Sequence, residues 1–176
     1  MLVSIVNSQR SVPVDEPSIA ALARCTLRHL RIRRPGTIAI AFIGAQRMRT
    51  LNKRFLRHDR VTDVLSFRYD GAPARRGGDA AMRRRGQVAG EILIAPAMAR
   101  SYARQHGVPY EQELSRYVVH GLLHWLGRED RTKSQQRDMR VMEDQLLARC
   151  GVQLRAQGSG LRAMAPSPQP PAPSRV

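Results

Sequence analysis

Apolar residues recur along this chain with two different periods, and the switches between them mark out its elements. LVSIV (2–6) is a short, β-branched apolar run and predicts a strand. Asp15-Glu16-Pro17 then sets two acids and an early proline where a helix N-terminus accepts them. Ile19, Leu22, Ala23, Leu27 and Leu30 follow at steps of one to four residues, the stripe of an amphipathic helix. TIAIAFI (37–43) returns to a continuous run and predicts a buried strand, and QRMRTLNKRF (46–55) turns Met48, Leu51 and Phe55 to one helical face. TDVLSFRY (62–69) and QVAGEILIA (87–95) predict two further strands.

The remainder is helical. Pro96 suits the first position of a helix reaching about His106, and Gly107 suits the residue that ends it. Residues 111–126 predict a helix with apolar residues on nearly every side. Leu114, Tyr117, Val118, Leu122 and Trp125 form one stripe, and Val119, Leu123 and Leu126 fill much of the rest, so this helix is expected to be buried. A last helix from about Ser134 to Arg149 buries Met139, Met142, Leu146 and Leu147. Strands and helices mix without strict alternation, which predicts a single α+β domain over residues 1–150.

Two stretches have little to bury. Residues 70–86, DGAPARRGGDAAMRRRG, hold five arginines among Gly, Ala and Pro and are expected to form a flexible loop, either an RNA-contacting arm or a solvated insertion. Residues 151–176 turn to Gly, Ser, Gln and Pro and are expected to be a disordered tail.

Charge narrows the partners. Lys and Arg number 30 against 14 Asp and Glu, a net charge of +16 over 176 residues. Such a surplus favours polyanions, with nucleic acid ahead of an anionic membrane surface, although an arginine-rich genome would also raise the count. No apolar run approaches the roughly 18 residues of a membrane span. MLVSIVNSQR lacks a basic stretch ahead of an apolar one, so no signal peptide is expected. Cys25 and Cys150 form no C-x-x-C and are expected to be reduced thiols of a cytosolic protein.

The candidate chemistry lies in VVHGLLHWLGREDR (118–131). His120 and His124 stand four apart in the buried helix, so their rings share a face and can reach one ion. Unpaired imidazole is costly in such a setting. Gly121 sits mid-helix, where glycine costs about 0.5–1 kcal/mol relative to alanine, so something is expected to pack closely there. Gly127 ends the helix and turns the chain back, which makes Glu129 and Asp130 the candidate third ligands. Two histidines and a returning acid form an open, three-ligand arrangement of the kind catalytic zinc uses. Zinc proteases of the H-E-x-x-H type carry a general-base Glu directly after the first histidine, and here that place is Gly121.

HGLLHWLGRED resembles the H-G-x-L-H-x-x-G-x-D-H signature of the YbeY family of metal-dependent rRNA-maturation endoribonucleases. LNKRFLRHDRVTDVLSF (51–67), GEILIAPAMARSYARQHG (90–107) and YEQELSRYVVHGLLH are similar to three further family blocks, in the expected order, so that the resemblance spans about residues 2–149. It implies a small mixed β-sheet covered by helices, with a zincin-like metal helix carrying His-x3-His. It also implies one Zn2+ per chain, cytoplasmic location, cleavage of single-stranded RNA, and a role in 16S rRNA 3′-end maturation and ribosome quality control. The chain departs from the family twice. Asp130 stands where the third ligand is usually His, with Glu129 at the family's Asp, and Leu56 stands where the family tends to carry Arg, with Arg57 next.

The resulting expectation is hydrolysis of single-stranded RNA at zinc held by His120, His124 and Asp130, with water or the RNA 2′-hydroxyl as nucleophile. Arg57 and His58 are candidates to hold the scissile phosphate, or are plain surface residues of a turn. Glu129, Asp63 and Ser66 are candidates to support the ligands. Two alternatives stand beside it: a non-catalytic RNA-binding ribosome-assembly factor stapled by its metal, and a metallopeptidase, which Gly121 disfavours.

Overall fold

Two sequence runs, TIAIAF and VAGEILI, are apolar almost throughout because they become strands covered on both faces. A computed structural model describes residues 1–33, 35–69 and 88–154. The chain order is β1 (Leu2–Asn7), α1 (Glu16–His29), β2 (Thr37–Phe42), α2 (Ala45–Leu56), β3 (Val64–Arg68), β4 (Val88–Ile94), α3 (Pro96–His106), α4 (Tyr110–Trp125) and α5 (Lys133–Arg149). The arginine-rich loop expected over 70–86 lies outside the described residues, as does the tail expected over 151–176 from residue 155 onward, while Val152 and Leu154 at its start pack against the core.

The four strands form one mixed sheet in the order β1-β2-β4-β3. β1, β2 and β4 run parallel, and β3 pairs antiparallel with β4, Val64 opposite Ile94 and Ser66 opposite Ile92. Alternation along the strands feeds two cores. Ile38, Ile40, Phe42, Val64, Ile92 and Ile94 pack with α1, α4 and α5. Ala41, Ile43, Leu65 and Leu93 face the other way and pack with Met48 of α2. The fold is therefore α+β, a small mixed sheet with helices on both faces.

Local chemistry sets the helix ends. The Asp15 side chain accepts from the Ser18 backbone N–H at 3.2 Å and caps α1. Thr132 and Gln135 cap α5 reciprocally, a capping box. Gly107 ends α3 at φ +64°, the left-handed conformation its position called for.

α4 crosses close over the sheet. A Cβ built on Gly121 would lie 2.5 Å from Ile92 Cγ2 and 3.0 Å from Val64 Cγ1. Only glycine lets the helix approach β3 and β4 so nearly, and this is the close packing that its mid-helix position implies. Ser66 Oγ donates to the Gly121 carbonyl at 2.9 Å and ties the helix to β3 at that point.

The expectation of two reduced cysteines is corrected: Cys25 and Cys150 form a disulfide. Cys25 lies on α1, and Cys150 directly follows α5. The packing of these helices brings the two Cα atoms within 5.9 Å across 125 residues of chain. Spacing in the sequence carries no trace of such proximity. No helix among the described residues is long and apolar enough to cross a membrane.

Candidate metal centre

α4 is buried from Gln112 to Trp125 except at Ser115. It sits between the sheet on one side and α1 and α5 on the other, so its two histidines reach no bulk water: His120 is 1% exposed and His124 is 4% exposed. Their rings meet edge to face with centroids 4.3 Å apart, as the four-residue spacing dictates.

Partners outside the helix fix both rings. His120 Nδ1 donates to Glu143 Oε1 of α5 at 2.7 Å. His124 Nδ1 donates to the Arg128 carbonyl at 2.8 Å. That carbonyl is in place because Gly127 adopts φ +87°, and the Arg128 backbone N–H folds back onto the Leu123 carbonyl at 3.0 Å. With each Nδ1 committed as a donor, each Nε2 presents a lone pair, and the two Nε2 atoms face each other at 2.9 Å. Two lone pairs at that distance repel unless a cation, metal or proton, lies between them.

The same turn delivers Asp130, which is 2% exposed. Its Oδ1 lies 3.7 Å from His124 Nε2 and its Oδ2 lies 3.9 Å from His120 Nε2. Both oxygens are buried with no hydrogen-bond partner. Such groups are costly to leave unsatisfied. A tetrahedral zinc with ligand bonds of about 2.0–2.1 Å separates neighbouring ligand atoms by about 3.3 Å, and the 2.9, 3.7 and 3.9 Å spacings straddle that value. Two imidazoles and a carboxylate, their free atoms within 4.8 Å of one another, could therefore hold one metal ion.

Electrostatics runs the same way. Burial pushes the His120 imidazole down, but Glu143, Asp63 and Asp130 together lift it above its ordinary value. Burial pushes Glu143 up, and His120 and Arg116 hold it below the usual carboxylate range. Burial likewise pushes Asp130 up, and His124 and His120 outweigh it and bring it down. The centre is a nest of negative charge facing two imidazoles, which favours any cation placed there.

The other expected residues fall in three places. Asp63 immediately precedes β3, and its charge reaches His120 while its Oδ1 accepts from the Val64 N–H at 3.0 Å. Ser66 holds α4 through the Gly121 carbonyl. Glu129 lies beside Arg131 at 3.5 Å with its side chain 37% exposed, away from the histidines. Arg57 and His58 sit exposed in the turn after α2, Arg57 as its left-handed cap at φ 59°. Among the described residues, neither forms a hydrogen bond or ion pair with the triad.

Sequence reasoning missed two residues. Glu143 is the carboxylate behind His120, and Arg116 pairs with it, Nη1 to Oε2 at 3.0 Å, while reaching Asp144 at 2.7 Å through Nη2. Both are 2% exposed or less on their side chains. The signal was available. Glu143 stands four residues after Met139 and three before Leu146, on the inward stripe of α5 where an apolar residue belongs, and Arg116 stands one turn before His120.

The family model described as Endoribonuclease YbeY matches residues 4–151. A protein named Endoribonuclease YbeY from Beutenbergia cavernae is 34% identical over 142 residues, covering 81% of this chain and 93% of its own. Its namesake in Acidothermus cellulolyticus is 32% identical over 148 residues, covering 84% and 90%. The solution structure of TM1509 from Thermotoga maritima has a TM-score of 0.54 at 20% identity, covering 85% of this chain and 89% of that one, a likeness of fold.

Proposed function

The chain belongs to the endoribonuclease YbeY family, and from that premise we propose that it is a metal-dependent endoribonuclease cleaving phosphodiester bonds of single-stranded RNA. Its place is in 16S rRNA 3′-end maturation and ribosome quality control in the cytoplasm. The observation that carries the reading is the convergence of His120 Nε2, His124 Nε2 and the partnerless Asp130 carboxylate on one point. The ion is read as one Zn2+ per chain, since two imidazoles and a carboxylate with a fourth position open form a catalytic zinc donor set.

When bound, zinc supplies Lewis acidity toward a phosphoryl oxygen and lowers the pKa of water. The protein does the rest. Glu143 keeps the proton on His120 Nδ1 and so presents Nε2 to the ion, the carboxylate–histidine support seen behind metal ligands generally. Arg116 keeps Glu143 ionised. The Arg128 carbonyl does for His124 what Glu143 does for His120. Ser66 and Asp63 hold the sheet edge against the ligands. Arg57 and His58, exposed at the start of the loop that ends at Asp63, hold the substrate phosphate.

The test pairs elemental analysis with cleavage. Purified protein is expected to hold one zinc and to cut a single-stranded RNA; chelator abolishes cleavage and zinc restores it. Protein that holds zinc and shifts RNA in a gel without cutting it is instead a metal-stapled assembly factor, and the nuclease reading falls.

A further inference from the structure

On the sheet face that also carries the triad's helix, but at the β1 edge, the end of α1 opens onto a cavity of about 650 Å³ lined by Met1, Arg24, Arg28, Arg31 and Arg33 together with Leu27 and Ile32. All four arginines are exposed. Arg24 and Arg28 stand four apart on one helical edge, and Arg31 and Arg33 follow just past the helix end, all four lining the same cavity. Like charges at such spacing oppose helix formation, and the negative end of α1 offsets only part of that. Among the described residues, no acid forms an ion pair with any of the four.

Arg31 adds a second sign. It takes φ 54°, the left-handed conformation that glycine usually supplies one residue past a helix end. Its N–H bonds to the Arg28 carbonyl, and the Ile32 N–H bonds to the Leu27 carbonyl, each at 3.0 Å, the return bonds of a helix terminus. A glycine there would be unstrained. A side chain kept in this conformation points to a use for it.

We propose that this cleft is a docking site for the sugar-phosphate backbone of single-stranded RNA, separate from the metal centre. This rests on the RNA reading of the protein. Guanidinium groups pair bidentately with phosphate, and Leu27 and Ile32 add apolar surface that a base face can cover. A concave cavity of about 650 Å³ admits one or two nucleotides of a single strand, whereas a duplex or a bilayer presents a surface too broad to enter it. The cleft flanks β1 at one edge of the sheet, and the triad's helix lies on β3 and β4 at the other. Three strand spacings, roughly 14 Å, separate those edges. A strand of several nucleotides would bridge them, and a very short one would not.

The experiment uses the zinc-loaded full chain, a fluorescent 2′-O-methyl single strand for equilibrium binding, and RNA strands of two lengths for cleavage. The variant combines Arg24→Gln, Arg28→Gln and Arg31→Gly, the last suited to the left-handed position. Long-strand affinity is expected to fall about tenfold or more, and the dependence of log affinity on log salt to lose about 2 of its slope, at about 0.7 per lost phosphate contact on a single strand. Cleavage of a tetranucleotide should keep its kcat/KM. Replacing the same three arginines by lysine should keep most of the slope. A control with Arg47→Gln, Arg104→Gln and Arg137→Gln, three exposed arginines elsewhere, removes the same charge. If the control loses as much affinity as the cleft variant, or the cleft variant loses none, the proposal is overturned. Loss confined to duplex RNA or to anionic vesicles overturns it also. Because binding is read apart from cutting, a chain that binds through the cleft yet never cleaves would end the nuclease reading and leave this one standing.

Discussion

Glu143 accepts a hydrogen bond from His120 Nδ1 at 2.7 Å and so decides which nitrogen of that ring is offered to the metal. The contact joins two consecutive helices, α4 and α5, across the turn that carries Asp130. It is also the middle link of a buried chain, since the other Glu143 oxygen takes Arg116 at 3.0 Å. Position, tautomer and charge of one ligand thus depend on a residue 23 positions away.

Glu143→Ala should weaken zinc binding by about 10–100-fold, the usual cost of losing a partner behind a metal ligand. It should also destabilise the fold by about 3–5 kcal/mol, because Arg116 stays buried with one of its three carboxylate partners gone. Glu143→Gln keeps an acceptor for Nδ1 and should do less to both. Zinc competition with a chromophoric chelator and urea melts read the two effects separately. Wild-type zinc affinity in Glu143→Ala would show that the His120 ring is held by other means.

The same pair sets the pH response of the metal-free protein. His120 is raised above 6.5, so its contribution to stability is whole below 6.5 and is lost as pH rises through its folded value. Glu143 is depressed below 4.5, so its contribution is present above 4.5 and is lost as pH falls through its folded value. Chelated protein should therefore be most stable between those limits and lose Tm on going to about pH 8. Zinc-loaded protein should gain relative to it over the same range, since protons compete with the metal. A chelated chain whose Tm climbs between about pH 6 and 8 contradicts the ion-pair account.

Much of this centre was legible because helical periodicity is local. A spacing of four from His120 to His124 is enough to put two rings on one face, and Gly127 is enough to turn the chain toward Asp130. Gly121 was legible too, as a cost without a visible gain, and the gain is Ile92 and Val64 lying against the helix. Glu143 was not, although its place on the apolar stripe of α5 was a clue, because the reading followed apolar residues and passed over the acid among them. The disulfide was hidden for a different reason. Cys25 and Cys150 are neighbours only through the docking of α1 on α5, a tertiary fact with no sequence period. Leu56 shows the limit of alignment: the next residue, Arg57, caps α2 with φ 59°, so its side chain leaves the helix end in a direction that helical position alone does not predict.

Gly121→Ala tests the close crossing. Alanine gains about 0.5–1 kcal/mol of helix propensity, but its methyl meets Ile92 Cγ2 at 2.5 Å. Overpacking of that kind costs about 1–3 kcal/mol, so the net change should be a loss, visible as a lower Tm. A larger residue such as Glu should prevent folding, which is why a protease-type base has no room at this position. A variant melting at or above wild type would mean that the helix can lift off the sheet without cost.

The Cys25–Cys150 bond closes most of the chain into one loop. Cys150→Ser, or reduction of the native protein, should lower the unfolding free energy by about 2–4 kcal/mol. The metal centre should survive, since Glu143 and the Arg128 carbonyl, not the disulfide, hold its two histidine rings. Denaturant midpoints with and without reductant measure the effect. Titration of two free thiols per native chain would show that the pair is held reduced.

Asp130 carries the departure from the family pattern, and its neighbour Glu129 supplies the control. Asp130 is buried with both oxygens partnerless, and Glu129 is partly exposed beside Arg131. An aspartate oxygen binds zinc at about 2.0–2.2 Å, near the imidazole distance, so the exchange of His for Asp is chemically open. The shorter side chain requires the turn after Gly127 to bring its backbone nearer the ion, and the Arg128 carbonyl bound to His124 Nδ1 at 2.8 Å shows that turn folded tightly against the ligands. With zinc bound, the added negative charge would lower the Lewis acidity of the ion and so raise the pKa of water on it. Asp130→Ala should therefore cost most of the zinc and nearly all cleavage, whereas Glu129→Ala should change either by less than about threefold, as surface substitutions usually do. Asp130→His should keep zinc wherever the turn relaxes to fit the longer ring, and should move the rising limb of the pH–rate profile to lower pH. Zinc content and pH–rate curves for the three variants decide the matter. Wild-type zinc in Asp130→Ala with loss in Glu129→Ala would move the third ligand one residue back, and no loss in either would place it outside this turn.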